Sequence, residues 1–296
     1  MNTSIEKIVS ATDFSLYAHR AALRAGRLAK EHGATLQLLH VLNGPSVKAL
    51  QSLLQASPPV GDVLVAEAKQ RLESLAEDVA NAGGATADCV VDEGEVIDAV
   101  LAAAEQSDLL VLGPRGLNPA KDFLLGSTAE RIARRARCPL LVSKQEAAIS
   151  YESVLVPVDF SEDSLRALRF ARLLAPRATL HVFHAYDSPF EGRLQSAGVS
   201  EEAMEGYRQS VAVEAEAAMQ EFLARAADVK NVRSSVELGD ARVALCRRAT
   251  ELQSNLIVMG KQGRSWWSEF LLGSVTRRTI ELSPCDVLVV PAPRSR

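Results

Sequence analysis

Cysteine is scarce in this chain: Cys89, Cys138, Cys246 and Cys285 stand far apart among 296 residues. With no close pair there is neither a disulfide frame nor a zinc-ligand spacing, and reduced thiols in a cytoplasmic protein are the expectation. No apolar run approaches the roughly 18–20 residues of a membrane helix. The opening Met1-Asn2-Thr3-Ser4-Ile5-Glu6-Lys7 runs straight into a strand-like segment, without the apolar region of a signal peptide. An excess of positive charge is missing too. The 33 Lys and Arg stand against 37 Asp and Glu, for a net charge of −4, so bulk electrostatics favours neither nucleic acid nor an anionic membrane as a partner. There is no G-x4-G-K-[S/T] loop and no kinase motif set. Tryptophan occurs twice, at Trp266 and Trp267.

What is present is a glycine pattern, and it occurs twice. Gly113-Pro114-Arg115-Gly116 is followed after nine residues by Gly126-Ser127-Thr128, and Gly260-Lys261-Gln262-Gly263 after nine residues by Gly273-Ser274-Val275. Each copy follows a short apolar run, Leu109–Leu112 or Leu256–Met259, that reads as a buried strand, and precedes a helical pattern over Ala129–Ala136 or Thr276–Leu282. A glycine-rich turn between a strand and a helix N-terminus can cradle phosphate oxygens with backbone N–H groups. A lone G-x-x-G is usually only a turn; the nine-residue spacing to a Gly-Ser helix start makes this pattern more specific.

The rest of the chain repeats in step. Ala11-Thr12-Asp13-Phe14-Ser15 matches Pro157-Val158-Asp159-Phe160-Ser161, Thr35–His40 matches Thr179–His184, Glu93-Gly94-Glu95 matches Leu238-Gly239-Asp240, and Arg137–Val142 matches Pro284–Val289, at offsets of 144 to 147 residues. The length suits two domains of ~150 residues, and constant order and spacing mark a duplication. The units span residues 1–146 and 150–296, joined by the short polar connector Lys144–Ser150.

Each half alternates strand and helix: strand one at Ile5–Ala11 or Ser153–Val158, helix one at Tyr17–Lys30 or Asp163–Leu174, strand two at Thr35–Leu42 or Thr179–Tyr186, and a long helix at Val63–Asn81 or Glu201–Ala227. Strand three follows at Thr86–Val91 or Arg233–Glu237, then a helix, strand four with its glycine loop, the last helix, and strand five at Leu140–Ser143 or Val287–Val290. Near-continuous Val, Ile and Leu in strands one, four and five fit a parallel sheet covered on both faces. The fold class is therefore α/β, with two tandem doubly wound, Rossmann-like, five-stranded parallel-sheet domains.

In such sheets a ligand sits at the carboxyl ends of strands, where strand order reverses. Strands one and four flank that crevice, which brings Asp13 or Asp159 to the glycine loop. Each aspartate taken alone reads equally as a cap or turn former; beside a phosphate-type loop, a role toward ribose, base or Mg²⁺ gains ground. Ser127 and Ser274 suit helix capping or a phosphate contact, and Arg115 and Lys261 are phosphate cations or solvated surface charges. His181 and His184, three apart on a strand, face opposite sides and make no metal pair. His40 and His184 read as structural, and Cys138 and Cys285 as packing residues. The two tryptophans fall within the second loop, where packing is favoured over a lid or partner surface.

Strand–Asp-Phe-Ser, the G-x2-G-x9-G-[S/T] loop after strand four and a final Cys-Pro-Leu-Leu-Val type strand resemble the universal stress protein family, and two copies resemble its tandem members. The resemblance covers essentially the whole chain. It implies halves packed as an internal pseudo-dimer through strand five, and ATP, or ADP or AMP, as ligand, with Mg²⁺ as a companion near Asp13 and Asp159. In the first half it places adenine near Asp13, Val41 and Leu112 and the phosphates on Gly113, Gly116, Gly126, Ser127 and Thr128, beside Arg115. In the second half the matching positions are Pro157, Asp159, Ala185, Met259, Gly260, Lys261, Gly263, Arg264, Gly273, Ser274 and Val275. Ala11 departs from the family's proline, kept as Pro157; Pro114 removes one N–H from the first cradle; Leu117 stands where Arg264 keeps a basic residue. These departures favour the second half as the tighter site. No general base stands near the loops, so the resemblance implies a nucleotide-binding stress or signalling module with little or no turnover, not an enzyme. A slow ATP hydrolase or phosphotransferase and a nucleotide-free interaction scaffold are the alternatives. Protein partners are unspecified, and association of two chains stays open.

Overall fold

The computed structural model describes residues 4–54, 60–116, 125–147, 149–262 and 272–292. The first half runs β1 (Lys7–Ala11), α1 (Leu16–His32), β2 (Thr35–Asn43), α2 (Gly44–Leu54), α3 (Val60–Asn81), β3 (Ala87–Gly94), α4 (Val96–Glu105), β4 (Leu109–Leu112), α5 (Ser127–Arg135) and β5 (Leu140–Val142). The second repeats it as β6 (Ser153–Pro157), α6 (Glu162–Leu174), β7 (Thr179–Tyr186), α7 (Glu191–Ser196), α8 (Glu201–Arg225), β8 (Val232–Leu238), α9 (Ala241–Glu251), β9 (Leu256–Gly260), α10 (Ser274–Leu282) and β10 (Asp286–Val290). The order of elements matches the sequence reading. Two short helices, α2 and α7, fill what reads as an unassigned stretch after strand two. Helix α2 starts because the Asn43 side chain accepts from the Ser46 N–H at 3.0 Å, with Pro45 in the first turn where its missing N–H costs nothing.

All ten strands form one sheet in the order β3-β2-β1-β4-β5-β10-β9-β6-β7-β8. Every neighbouring pair is parallel except β5 and β10, which run antiparallel with Leu140, Leu141 and Val142 opposite Val289, Leu288 and Val287. The halves are thus joined edge to edge through strand five, as expected for the internal pseudo-dimer.

Alternation along each strand splits the core into two layers. Ile8, Leu109, Val111, Leu141, Val154, Val156, Val258 and Leu288 face the side covered by α1, α3, α6 and α8. Val9, Leu110, Leu112, Leu140, Val142, Leu155, Ile257 and Val287 face the layer holding the buried residues of α4, α5, α9 and α10. Both layers run through both halves without a break. Full burial of each such side chain is worth about 1.5–3 kcal/mol before entropy is counted.

One polar cluster interrupts this apolar seam. Asp286, the first residue of β10, is 0% exposed and accepts from the Tyr151 hydroxyl at 2.6 Å and from the Lys144 and Gln145 amides at 2.7 and 2.9 Å. The guanidinium of Arg24, on α1, lies 3.3 Å away and is 2% exposed. It also donates to the carbonyls of Ile149 and Glu146 and stacks 4.5 Å from the Tyr151 ring centre. The connector between the halves is therefore tied to α1 of one half and β10 of the other. The duplication has no second copy of this cluster: Pro139 matches Asp286, and Phe170 falls at the place of Arg24 when the capping serines of α1 and α6 are aligned.

Candidate functional site

Strand order reverses between β1 and β4, and again between β6 and β9, and each reversal opens a cavity at the carboxyl ends of those strands. The first measures about 420 Å³ and the second about 230 Å³. Ligand pockets run from about 300 to 1,000 Å³, so the first half holds the roomier site.

The floor of each cavity comes from the turn after strand one. Ser15 caps α1 and Ser161 caps α6, each hydroxyl accepting from the backbone N–H three residues on. Reaching those caps from an extended strand forces Phe14 and Phe160 into the left-handed region, at φ 63° and 65°. The strain is held from several sides. Asp13 and Asp159 accept the Ser15 and Ser161 amides at 3.0 and 3.1 Å, and Phe14 and Phe160 lie on the rings of His40 and His184, centroids 4.4 and 4.2 Å apart. Those histidines bond the carbonyls of Thr12 and Val158 through Nδ1 at 2.8 and 2.7 Å. Because a carbonyl only accepts, Nδ1 carries the proton. Burial is the main influence on His40 and pulls its pKa down, so its ring is neutral at pH 7. Both histidines line their cavities as well as supporting the turn, a position that their shared place in the repeat signals and that the structural reading alone misses.

The glycine loops meet this turn from strand four. A Cβ on Gly116 would lie 2.4 Å from Asp13 Oδ2, so the carboxylate rests directly on the glycine. A Cβ on Gly113 would lie 2.8 Å from the Tyr17 carbonyl carbon, where only glycine lets α1 approach. Each loop closes with the same bond: Gly126 N–H to the Pro114 carbonyl at 2.8 Å, and Gly273 N–H to the Lys261 carbonyl at 3.2 Å. Gly126 and Gly273 are the N-cap residues of α5 and α10, with no side-chain cap. The amides of residues 127–129 and 274–276 therefore precede the first intrahelical donors, Glu130 and Arg277, and sit without an intrahelical acceptor at the positive end of the helix dipole. This corrects the expectation that Ser127 and Ser274 cap their helices: each is the first helical residue, one place too late for capping.

Among the expected site residues, Asp13, Val41, Leu112, Gly113, Arg115, Gly116, Gly126, Ser127 and Thr128 all line the first cavity. Pro157, Asp159, Ala185, Met259, Gly260, Gly273, Ser274 and Val275 line the second. Thr12, Val96, Val100, Ala241, Leu245, Gln262 and Thr276 line them too, without a motif to mark them. Gly263 and Arg264 lie outside the described residues, as do Leu117, Trp266 and Trp267. Lys261 is a correction. It is 6% exposed and its ammonium donates to the carbonyls of Arg134 and Ala136, at 2.5 and 3.1 Å, in the opposite half. It is not a phosphate cation of the second cradle, because the last carbonyls of α5 take its charge.

Among the described residues no group of three or more His, Cys, Asp or Glu could hold a metal ion, and no helix is long and apolar enough to cross a membrane.

Two doubly wound halves, each with a crevice between an aspartate turn and an open helix N-terminus, define a duplicated, Rossmann-like α/β protein. The sequence model of the universal stress protein family matches residues 4–144 and again 150–291, and the chain belongs to that family. A universal stress protein of Mycolicibacterium smegmatis is 28% identical over 293 residues, 96% of each chain. One of Thermus aquaticus is 35% identical over 146 residues, 46% of this chain and 96% of its own. Among solved structures, a universal stress protein from Archaeoglobus fulgidus superposes with a TM-score of 0.68 at 22% identity, covering 96% of this chain and 98% of its own.

Proposed function

We propose that the protein binds ATP, or ADP or AMP, in these cavities and acts as a stress-response or signalling module with little or no turnover. The observation that carries the reading is the convergence of Asp13, the Gly113–Gly116 turn and the uncapped N-terminus of α5 on one 420 Å³ cavity. Apolar Val41, Val100 and Leu112 suit a base, and the free amides at the helix N-terminus suit phosphates. Among the described residues Arg115 is the cation lining the first cradle, and Asp13 and Asp159 are the carboxylates lining the cavities that Mg²⁺ would find, with the phosphates as its other ligands. The units 1–146 and 150–296 are part of the proposal, with the first half as the stronger site.

Slow turnover follows from what lines the first cavity. Its described titratable groups are Asp13, His40 and Arg115. Asp13 Oδ1 is engaged by the Ser15 amide and His40 by the Thr12 carbonyl, and among the described residues lining the cavity there is no lysine to meet a transferring phosphoryl group. Mass spectrometry of ligand released from the denatured protein, with melting in Mg-ATP, tests the binding. A ligand at 100 times its dissociation constant should stabilise the fold by about 2.7 kcal/mol. No shift at millimolar nucleotide would leave the empty-scaffold reading. Phosphate release should stay far below the ~1–100 s⁻¹ of kinases; rapid release lost in Asp13→Asn would make the protein an enzyme.

A further inference from the structure

The cradle helices α5 and α10 end on equivalent residues, Ala136 and Ser283, each two places before the matched cysteines Cys138 and Cys285. The carbonyl of each is taken by a lysine from the other half. Lys261 Nζ, rooted in the second glycine loop, donates to Arg134 and Ala136 at 2.5 and 3.1 Å; Lys144 Nζ, just past β5, donates to Ser283 at 2.8 Å. The lysines themselves are not equivalent, since Pro114 matches Lys261. The same contact has thus been reached from two different places in the repeat.

We propose that Lys261 and Lys144 are positioning residues for anion binding, each acting on the cradle of the opposite half: Lys261 on Gly126–Thr128 through α5, and Lys144 on Gly273–Val275 through α10. The inference rests on the nucleotide reading above. An ammonium on the last carbonyls neutralises the negative end of a nine-residue helix and fixes its tilt, while the ligand's phosphates take the positive end about 13 Å away. Both lysines are held by backbone bonds that permit little drift. The Lys261 amide donates to Val290, and its carbonyl accepts from Gly273, the N-cap of the second cradle. The Lys144 amide donates to Asp286. Lys261 therefore touches one cradle through its backbone and the far end of the other cradle's helix through its side chain, which links the two sites through α5.

Burial pulls the pKa of each lysine down to about 8. Arg137 lowers Lys261 further and Cys138 opposes; around Lys144, Cys285, Cys246 and Asp286 raise and Arg115 lowers. The ammonium form is present at pH 7 and is lost as pH climbs through about 8, so the support it gives the opposite cradle should fade over that window.

Photolabelling of the full chain with 8-azido-ATP, with labelled peptides assigned to each half by mass spectrometry, tests this site by site. In Lys261→Met the half-saturating concentration for first-half peptides should rise about fivefold, while second-half peptides keep theirs; Lys144→Met should do the reverse. Lys261→Arg should restore the first half. Wild-type labelling of the first half should weaken as pH rises through about 8, and Lys261→Met should remove that step. Loss in the lysine's own half, equal loss in both halves, or no change in either would overturn the cross-half assignment while leaving nucleotide binding intact. Absence of labelling in wild type would instead overturn the nucleotide reading, and this inference with it.

Discussion

Asp286→Ala should destabilise the protein by about 3–5 kcal/mol in urea unfolding, the range for removing one partner of a buried ion pair. The cost comes from what is left behind. Arg24 would keep a charge at 2% exposure with no carboxylate beside it, and the Tyr151 hydroxyl and the Lys144 and Gln145 amides would each lose an acceptor. The site ties α1, the connector and β10 together, so the loss should fall on the joint between halves as well as on total stability. Asp286→Asn keeps an acceptor for the amides but not the charge and should fall between. Replacing Arg24, Tyr151 and Asp286 together by apolar residues of similar volume should recover much of the loss. A decrease below about 1 kcal/mol in Asp286→Ala would show that the cluster is not a structural centre. There is a pH signature as well. Burial, with Asp286 beside it, raises the Tyr151 phenol well above its ordinary value. Its contribution is intact below about pH 10 and falls above it, as the unfolded chain ionises and the folded one does not. Tyr151→Phe should flatten that alkaline decline.

That cluster also marks where sequence reasoning stops. The glycine loops, the Asp-Phe-Ser turns and the order of elements along the chain are legible because each is set by local spacing and appears twice. Arg24 and Asp286 are 262 residues apart (286 − 24) and occur once. The available signal is a break in the repeat, Phe170 against Arg24 and Pro139 against Asp286, together with the lone charge of Asp286 at the head of a Val-rich strand; Arg24 is one of several charges on α1. Lys261 failed for a related reason. Its place in the loop is a local property, but the direction of its side chain is decided by the carbonyl end of a helix from the other half. Ser127 and Ser274 were placed one residue off because helix starts read from sequence shift by a residue or two, and an N-cap role does not survive such a shift.

Gly116→Val should abolish nucleotide binding in the first half and lower the ATP stoichiometry of the chain by one. The added Cβ would lie 2.4 Å from Asp13 Oδ2, so the carboxylate must move away from the turn proposed to receive the phosphates, and the branched methyls close the backbone approach. Gly273→Val is the matching change in the second half. Its Cβ meets Lys261 O and Thr276 Oγ1 at 3.5 Å, an ordinary contact, so the fold should accept it while the methyls crowd the smaller cavity. Because the first cavity is nearly twice the second, Gly116→Val should remove the larger share of the ATP-induced rise in melting temperature, about 2.7 kcal/mol at 100 times the dissociation constant. Calorimetric titration of wild type and the two variants measures stoichiometry and affinity together. If Gly116→Val folds and keeps full stoichiometry, the first cradle is not the phosphate site. If Gly273→Val removes the tighter binding instead, the second half, despite its narrower cavity, is the stronger site, and the order argued from cavity volume is reversed.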